Sequence, residues 1–163
     1  ISKKIFRLFY YYLLHSYSKN KTIFKSKFIK CLIEGFSSYE IDKISRLFVK
    51  KRIIPKINKK LLKLIKLNRR NHKIYIVSAS LNIYIKYIVK ELKITGEIST
   101  TVSLNKKTFG KIIGSNCFNI EKKNRLKKTI LNLYNKKIIF FTDDEISDLP
   151  LINLSDKHYI VKN

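Results

Sequence analysis

The spacing of apolar residues along the chain changes near residue 70. Before that point they recur three and four positions apart, in IFRLFYYYLLHSY, SKFIKCLIEGF, SYEIDKISRLFVKKRI and INKKLLKLIKLN. This spacing places apolar side chains on one face of a helix, so four helices are predicted over residues 1–70. The segment contains no cluster of catalytic residue types, and His15 stands alone among aromatic residues, as a packed side chain would.

The predicted helix ends rest on local signals. Gly35 is placed to end the second helix, Ser38 to cap the third, and Pro55 interrupts the chain before the fourth. The third helix has a predicted buried stripe of Ile41, Ile44, Leu47 and Phe48.

From Lys73 onward, short β-branched runs alternate with helical patterns. KIYIVS, KKIIFFTD and HYIVK are predicted strands, EISTTVSLN and FGKIIGSN a strand pair, and LNIYIKYIVKELKI, EKKNRLKKTILNLY and SDLPLINLS helices. Such alternation predicts an α/β fold with a Rossmann-like, mostly parallel sheet and helices on both sides. The predicted domains are a helical cap, residues 1–70, and this α/β core, residues 71–163.

Composition narrows the functional classes only partly. With 36 basic and 11 acidic residues the net charge is +25, which could serve nucleic-acid binding. The basic residues are nearly all lysine and are spread along the whole chain, in a composition typical of AT-rich coding, so nucleic acid is an unfavoured partner. Two cysteines without a CxxC pair indicate a reducing, cytoplasmic setting. No apolar run is long enough to span a membrane.

Polar residues follow the predicted strands at their carboxyl ends. Ser78 and Ser80 end KIYIVS, where Ser80 is placed to cap the next helix, and Asp144 and Asp148 follow KIIFFT. Lys122 opens the helix that leads into KIIFFT. Ligands of open α/β sheets bind beyond the carboxyl ends of the strands, so these residues are expected to converge on one crevice.

The stretch FFTDDEISDLP concentrates acids in a basic chain. Asp143, Asp144, Glu145 and Asp148 are four of its 11 acidic residues. Helix-start acids complement the helix dipole, which accounts for about one carboxylate. The others would repel one another unless a cation lay between them, and hard oxygen ligands at a strand end suit Mg²⁺.

Three ordered segments, IVSASLNIYIKYIVKELKI, GKIIGSNCFNIEKKNRL and FFTDDEISDLPLINLSDKHYIV, carry a family resemblance. The chain resembles the haloacid dehalogenase-like (HAD) phosphohydrolases, and most closely the subgroup (IB) that is similar to phosphoserine phosphatase and carries a helical cap. The resemblance covers residues 70–163, with weaker support for residues 1–70 as the cap.

The resemblance implies a role for each matching position. Ser78 and Ala79 would bind the transferring phosphoryl group, and Lys122, rather than Lys123, would neutralise phosphate and nucleophile. Asp144 and Asp148 match the two acids of the last motif and are the expected Mg²⁺ residues, of which the first ligates the ion directly in the family. Asp148, with Ser78 and Lys122, is also an expected catalytic residue. An alternative register makes Asp143 the ligand. Asn71 and Asn119 stand where the family often has glycine.

One family motif has no match in this chain. The family's nucleophile is an aspartate in DxDxT at the end of the first core strand, ahead of the cap, and no acid precedes Glu34. The chain lacks methionine and begins with Ile1, so one explanation is an upstream segment that carries this strand. The other is a gene that lost the segment, leaving an inactive remnant that binds phosphate or nucleic acid.

The resemblance also implies the substrate class. A Mg²⁺-dependent phosphatase of this subgroup would act on a small phosphorylated metabolite similar to phosphoserine. The aromatic and basic stretch FRLFYYYLLHSY, residues 6–17, leaves a phospholipid head group as an alternative substrate.

Overall fold

The computed structural model describes residues 21–161. Its first part is helical: α1 (Lys21–Ile33), α2 (Ser38–Phe48), a π-helical turn (Val49–Ile53), a 3₁₀ turn (Ile54–Lys56) and α3 (Lys59–Asn68). Its second part contains β1 (Tyr75–Leu81), α4 (Asn82–Leu92), β2 (Gly96–Thr100), α5 (Ile120–Thr129), β3 (Ile139–Thr142), α6 (Glu145–Ile152) and β4 (Lys157–Ile160). The predicted first helix and His15 lie outside the described residues.

Local signals explain the ends of the first helices. After α1 the backbone turns at Gly35, whose φ of 87° is costly for residues with a side chain. The cap of α2 is Ser37, whose hydroxyl accepts a hydrogen bond from the Glu40 amide while the Glu40 carboxylate accepts one from the Ser37 amide. The prediction of Ser38 as the cap was therefore wrong by one residue. Asn58 caps α3 after the turn that contains Pro55.

The strands of the described residues form two parallel pairs. β1 pairs with β2 in the register Val77 to Ile98, and β3 pairs with β4 in the register Phe140 to His158. Each pair is joined through a helix, as parallel strands require. The predicted strand pair around NKKTFG is reduced to one antiparallel bridge between Val102 and Ile112. The α/β fold with mostly parallel strands is confirmed.

Strand and helix bounds in the second part differ from two sequence predictions. β1 continues to Leu81, and Leu81 precedes α4 without a side-chain cap, so the prediction of Ser80 as helix cap was wrong. The Ser80 amide instead donates to Ser78 Oγ at 3.1 Å. α5 ends at Thr129 rather than near Tyr134, because the chain leaves helical geometry at Ile130 and forms a separate 3₁₀ turn.

Apolar clusters join the helical part to the second part of the chain. Ile29 of α1 and Ile41 of α2 share one cluster with Ile83 and Val102, and Val49 joins another on α4. The division at residue 70 stays a prediction, since both clusters cross it.

The predicted stripe of α2 was only partly right. Ile41 is buried, whereas 49% of Ile44, 46% of Leu47 and 41% of Phe48 is exposed. The Phe48 ring meets Tyr84 edge-on. Within residues 21–161, no helix is long and apolar enough to cross a membrane.

Candidate active site

The carboxyl end of β3 carries a buried polar network. The Thr142 hydroxyl donates to Asp148 Oδ2 at 2.6 Å, and its oxygen accepts from the Asp144 amide at 3.0 Å. Thr142 and Asp148 are 5% and 7% exposed. α6 starts at Glu145, shortly after the strand ends at Thr142, and Asp148 in its first turn faces back toward the end of the strand.

Lys122 completes this network from the neighbouring helix. Its ammonium pairs with Asp148 Oδ1, and the side chains of both residues are only 9% exposed. Removing two charges from water is costly unless they are paired and hydrogen-bonded, and here both carboxylate oxygens have donors. Lys123, its neighbour in sequence, makes no such contact.

α5 begins at an unusual backbone conformation. Asn119 precedes it with φ 51° and ψ −126°, a region that favours glycine. The family glycine expected at this position therefore has a physical reason. The turn directs the first residues of α5, including Lys122, toward α6.

Asp144 lies at the start of α6 and is exposed. Its carboxylate accepts hydrogen bonds from the Ser147 amide, at 3.1 Å, and from the Ser147 hydroxyl. The Ser147 hydroxyl and amide hold the pKa of Asp144 below its usual value, and the nearby charge of Lys122 adds to the effect. Asp143 is exposed as well. Both acids are therefore open to solvent beside the buried pair.

The other predicted phosphate ligands lie in the middle of β1, where its register with β2 is irregular, because the strand continues past the predicted end to Leu81. Ser78 and Ala79 are half-buried. The Thr100 hydroxyl donates to the Ala79 carbonyl oxygen at 2.8 Å, and Thr100 Oγ1 accepts a hydrogen bond from the Cys117 amide at 3.0 Å. Thr100 therefore fastens the loop that leads into α5 to the end of β1. The same connection brings the start of the Lys122 helix to this end of the strands.

Sequence reasoning missed four residues of this region. Thr142 and Thr100 could have been found, because each ends a strand and offers a hydroxyl. Asn116 lies in the segment GSNC, and its sequence context alone predicted no role for it. Lys25, whose Nζ donates to Ala79 O and Asn116 Oδ1, has no sequence signal, since it is one of 36 basic residues.

The described residues fit a magnesium ion at Asp144 better than at Asp148. A carboxylate has about four acceptor positions, and Asp144 uses two of them while facing solvent. Asp148 has both oxygens engaged by Lys122 and Thr142. Residues 21–161 contain no group of three or more His, Cys, Asp or Glu placed to hold a metal. Mg²⁺ needs only one or two carboxylates when water and phosphate complete its shell.

Comparison with known families identifies the chain. The sequence profile of the haloacid dehalogenase-like hydrolases matches residues 3–153. The chain belongs to this family. Its sequence has no significant match among curated proteins. Family membership makes the chain one of the HAD-like hydrolases by descent.

Two solved structures share the HAD-like fold. A protein of unknown function from Bordetella pertussis Tohama I superposes with a TM-score of 0.78 at 15% identity, covering 92% of this chain and 70% of its own. A phosphoserine phosphohydrolase-like protein from Francisella tularensis subsp. tularensis SCHU S4 superposes with a TM-score of 0.56 at 16% identity, covering 97% and 82%. At such identities the likeness shows the fold.

Proposed function

We propose that this HAD-like chain belongs to a Mg²⁺-dependent phosphomonoester hydrolase. The observation that carries the proposal is the buried pair of Lys122 and Asp148, with Asp144 exposed beside it at the carboxyl end of β3. A buried lysine held by a carboxylate offers a fixed positive charge at the place where α/β folds bind ligands.

Each residue has a proposed part in phosphoryl transfer. The Ser78 hydroxyl and the Ala79 amide donate to phosphoryl oxygens, and Lys122 neutralises the charge that these oxygens carry. Asp148 is a positioning residue, because its carboxylate fixes the Lys122 ammonium. Phosphoryl transfer depends mainly on such positioning and charge stabilisation.

The magnesium ion would be held by Asp144, with Asp143 as the alternative ligand. When bound, Mg²⁺ supplies positive charge to the phosphate and to the attacking carboxylate. The exposed position of Asp144 leaves room for this ion, whereas Asp148 stays with Lys122.

The nucleophile is proposed to be an aspartate on a further strand, as the family resemblance implies. Its carboxylate oxygen would attack phosphorus while the ester P–O bond breaks, and the departing alkoxide would take a proton from solvent and leave as the alcohol. Water would then attack the phosphorus of the aspartyl phosphate, which releases inorganic phosphate and regenerates the carboxylate.

The arrangement of the strands supports an added strand. Among the described residues no ladder joins β1 to β3, yet Val77 of β1 and Phe140 of β3 pack against the same apolar cluster. The two pairs therefore border one core, each with a partner on one edge only. A strand between them would place its carboxyl end beside Ser78 and Asp144.

The proposed substrate is a small phosphorylated metabolite similar to phosphoserine. The name of the Francisella protein supports this substrate class, while its structural similarity to this chain shows only a shared fold. The phospholipid alternative depends on residues 6–17, which lie outside the described part of the chain.

The test measures phosphate binding and turnover separately. Binding of inorganic phosphate is titrated calorimetrically with and without Mg²⁺, using Asp144→Asn and the matched neighbour Asp143→Asn. We expect Mg²⁺ to tighten phosphate binding, Asp144→Asn to remove that effect and Asp143→Asn to keep it. The reverse pattern would establish the Asp143 register, and loss in neither variant would refute the metal site.

Turnover of a model phosphate ester is then assayed on the chain together with the in-frame coding sequence upstream of the Ile1 codon. We expect an apolar strand followed by DxDxT there, with hydrolysis that Asp144→Asn abolishes. A stop codon or an unrelated sequence would withdraw the enzyme assignment. Phosphate or nucleic-acid binding that ignores Mg²⁺ and fades with salt would indicate only a polycation.

A further inference from the structure

α3 lies at the surface of the protein and has two different sides. On one side Leu62 and Ile65 pack against the apolar cluster that contains Val49. Just after the helix, the Arg69 guanidinium donates to the Leu92 carbonyl oxygen at 2.9 Å. No residue of α3 is fully buried. α3 is therefore fixed to the protein along one side and open to solvent along the other.

The open side of α3 is basic, with a leucine in its middle. Lys60, Lys63 and Leu67 recur at helical spacing, so they share one face, and Lys59 and Lys66 border it. All of these side chains are exposed, and 67% of Leu67 is accessible to solvent. These residues are called the outer face of α3 below.

No acid balances the charge of the outer face. Between Asp42 and Glu91 the sequence has no acidic residue. The π-helical turn that comes shortly before α3 adds exposed basic side chains, Lys50, Lys51 and Arg52. Among the described residues, no lysine of the outer face makes an ion pair. A partner that covers this face must therefore be anionic.

Leu67 favours an anionic membrane over other polyanions. An exposed leucine is ordinary by itself, but this one lies between lysines on the same face. Nucleic-acid-binding surfaces use arginine to contact bases and aromatic rings to stack on them, and the outer face has neither. At a membrane, lysine ammoniums reach the head groups while an apolar side chain enters the boundary of the acyl chains.

We propose that the outer face of α3 docks the protein on an anionic phospholipid membrane. α3 then lies along the bilayer surface, with Leu67 at the acyl boundary and the lysines among the head groups. The inference is independent of the proposed phosphatase, because it uses neither the pair of Lys122 and Asp148 nor residues 6–17. It concerns where the protein is held, rather than what it hydrolyses.

The experiment measures sedimentation of the full chain with lipid vesicles at physiological salt. One set of vesicles is phosphatidylcholine alone, and the other contains equal parts of phosphatidylcholine and phosphatidylserine. Two variants change the outer face, Leu67→Gln and the double variant Lys60→Gln/Lys63→Gln. Because the replaced side chains are exposed, both variants should keep the circular dichroism spectrum and Tm of the unmodified chain.

Each variant has a matched control elsewhere on the surface. Leu131→Gln changes a leucine that is 84% exposed. Lys106→Gln/Lys107→Gln removes the same charge from exposed lysines of the loop that follows β2. The controls therefore separate the outer face of α3 from the general charge and apolarity of the protein.

We expect the unmodified chain to bind the vesicles that contain phosphatidylserine and not those of phosphatidylcholine alone. Lys60→Gln/Lys63→Gln should weaken this binding about tenfold, as the loss of two lysines near an anionic surface allows. Leu67→Gln should weaken it about fivefold, because an apolar side chain no longer leaves water. Both controls should change the affinity by less than about twofold, because charges far from the contact are screened.

Three outcomes would overturn the proposal. The first is a lack of binding to the vesicles that contain phosphatidylserine. The second is equal weakening by the outer-face variants and their controls, which would reduce the effect to general charge. The third is binding to duplex DNA at the same salt that Lys60→Gln/Lys63→Gln weakens, with vesicle binding that Leu67→Gln leaves unchanged. That pattern would make the outer face a nucleic-acid surface.

Discussion

Replacing Asp148 by asparagine should destabilise the fold strongly. The amide has the size of the carboxylate and can still accept the hydrogen bond from Thr142, but it removes the negative charge that faces Lys122. With both side chains 9% exposed, the Lys122 ammonium would remain buried against a neutral group. Breaking a buried pair in this way costs about 3–5 kcal/mol in the free energy of unfolding.

This loss is large for a domain of this size. Total stabilities are about 5–15 kcal/mol, and each kcal/mol shifts Tm by about 2–4 °C, so Tm should fall by about 6–20 °C. The chain has 10 tyrosines and no tryptophan, so urea and thermal unfolding are best followed by far-ultraviolet circular dichroism.

The matched control is Asp143→Asn. It makes the same change of net charge five residues earlier on an exposed side chain, and it should cost less than about 0.5 kcal/mol. The double variant Lys122→Met/Asp148→Asn removes the stranded charge and should recover about 2 kcal/mol of the loss. If Asp148→Asn costs no more than Asp143→Asn, the Lys122 ammonium is not confined in the interior and the reasoning is refuted.

Three further changes test other parts of the fold. The Tyr87 hydroxyl, with Lys86 and Arg46, holds the pKa of Asp42 at about 2. Because this folded-state pKa lies below the unfolded value, the stabilisation is complete above about pH 5 and is lost as pH falls toward 2. Asp42→Asn should remove this pH dependence. In urea titrations at pH 7 it should lower the free energy of unfolding by about 1–2 kcal/mol. Ser37→Ala should cost about 1 kcal/mol and the adjacent Ser38→Ala less, whereas the opposite order would restore Ser38 as the cap. Asn119→Gly should raise Tm because it relieves backbone strain of about 1–2 kcal/mol, and Asn119→Ala should lower Tm because it increases that strain. Equal melting temperatures for the two variants would show that the turn is unstrained.

Much of the fold could be predicted because the local signals agree with one another. The apolar run before Asp143 favours a strand, and the helical spacing of apolar residues after Pro55 favours a helix, as the structure has them. The order of Ser78, Lys122 and Asp144 along alternating elements was enough to predict a site beyond the carboxyl ends of the strands, since parallel strands end on the same side.

The exact cap of α2 and the extent of its buried face could not be predicted from the sequence alone. Ser37 and Ser38 both suit a cap position, and only the hydrogen bonds to Glu40 decide between them. Ile44 and Leu47 have helical spacing, but how much of that face is covered depends on neighbouring elements, which periodicity does not reveal.

Because the chain contains so many basic residues, the sequence does not show which lysines contact the candidate site. Among 36 lysines and arginines, sequence alone gives Lys25 no distinction, and the pairing of Lys122 with Asp148 joins residues 26 positions apart. Order along the chain determined the elements and the end of the strands at which polar side chains gather. That Lys122 pairs with an acid whereas Lys25 contacts neutral oxygens was decided only by packing, because burial and pairing depend on neighbours that are distant in sequence.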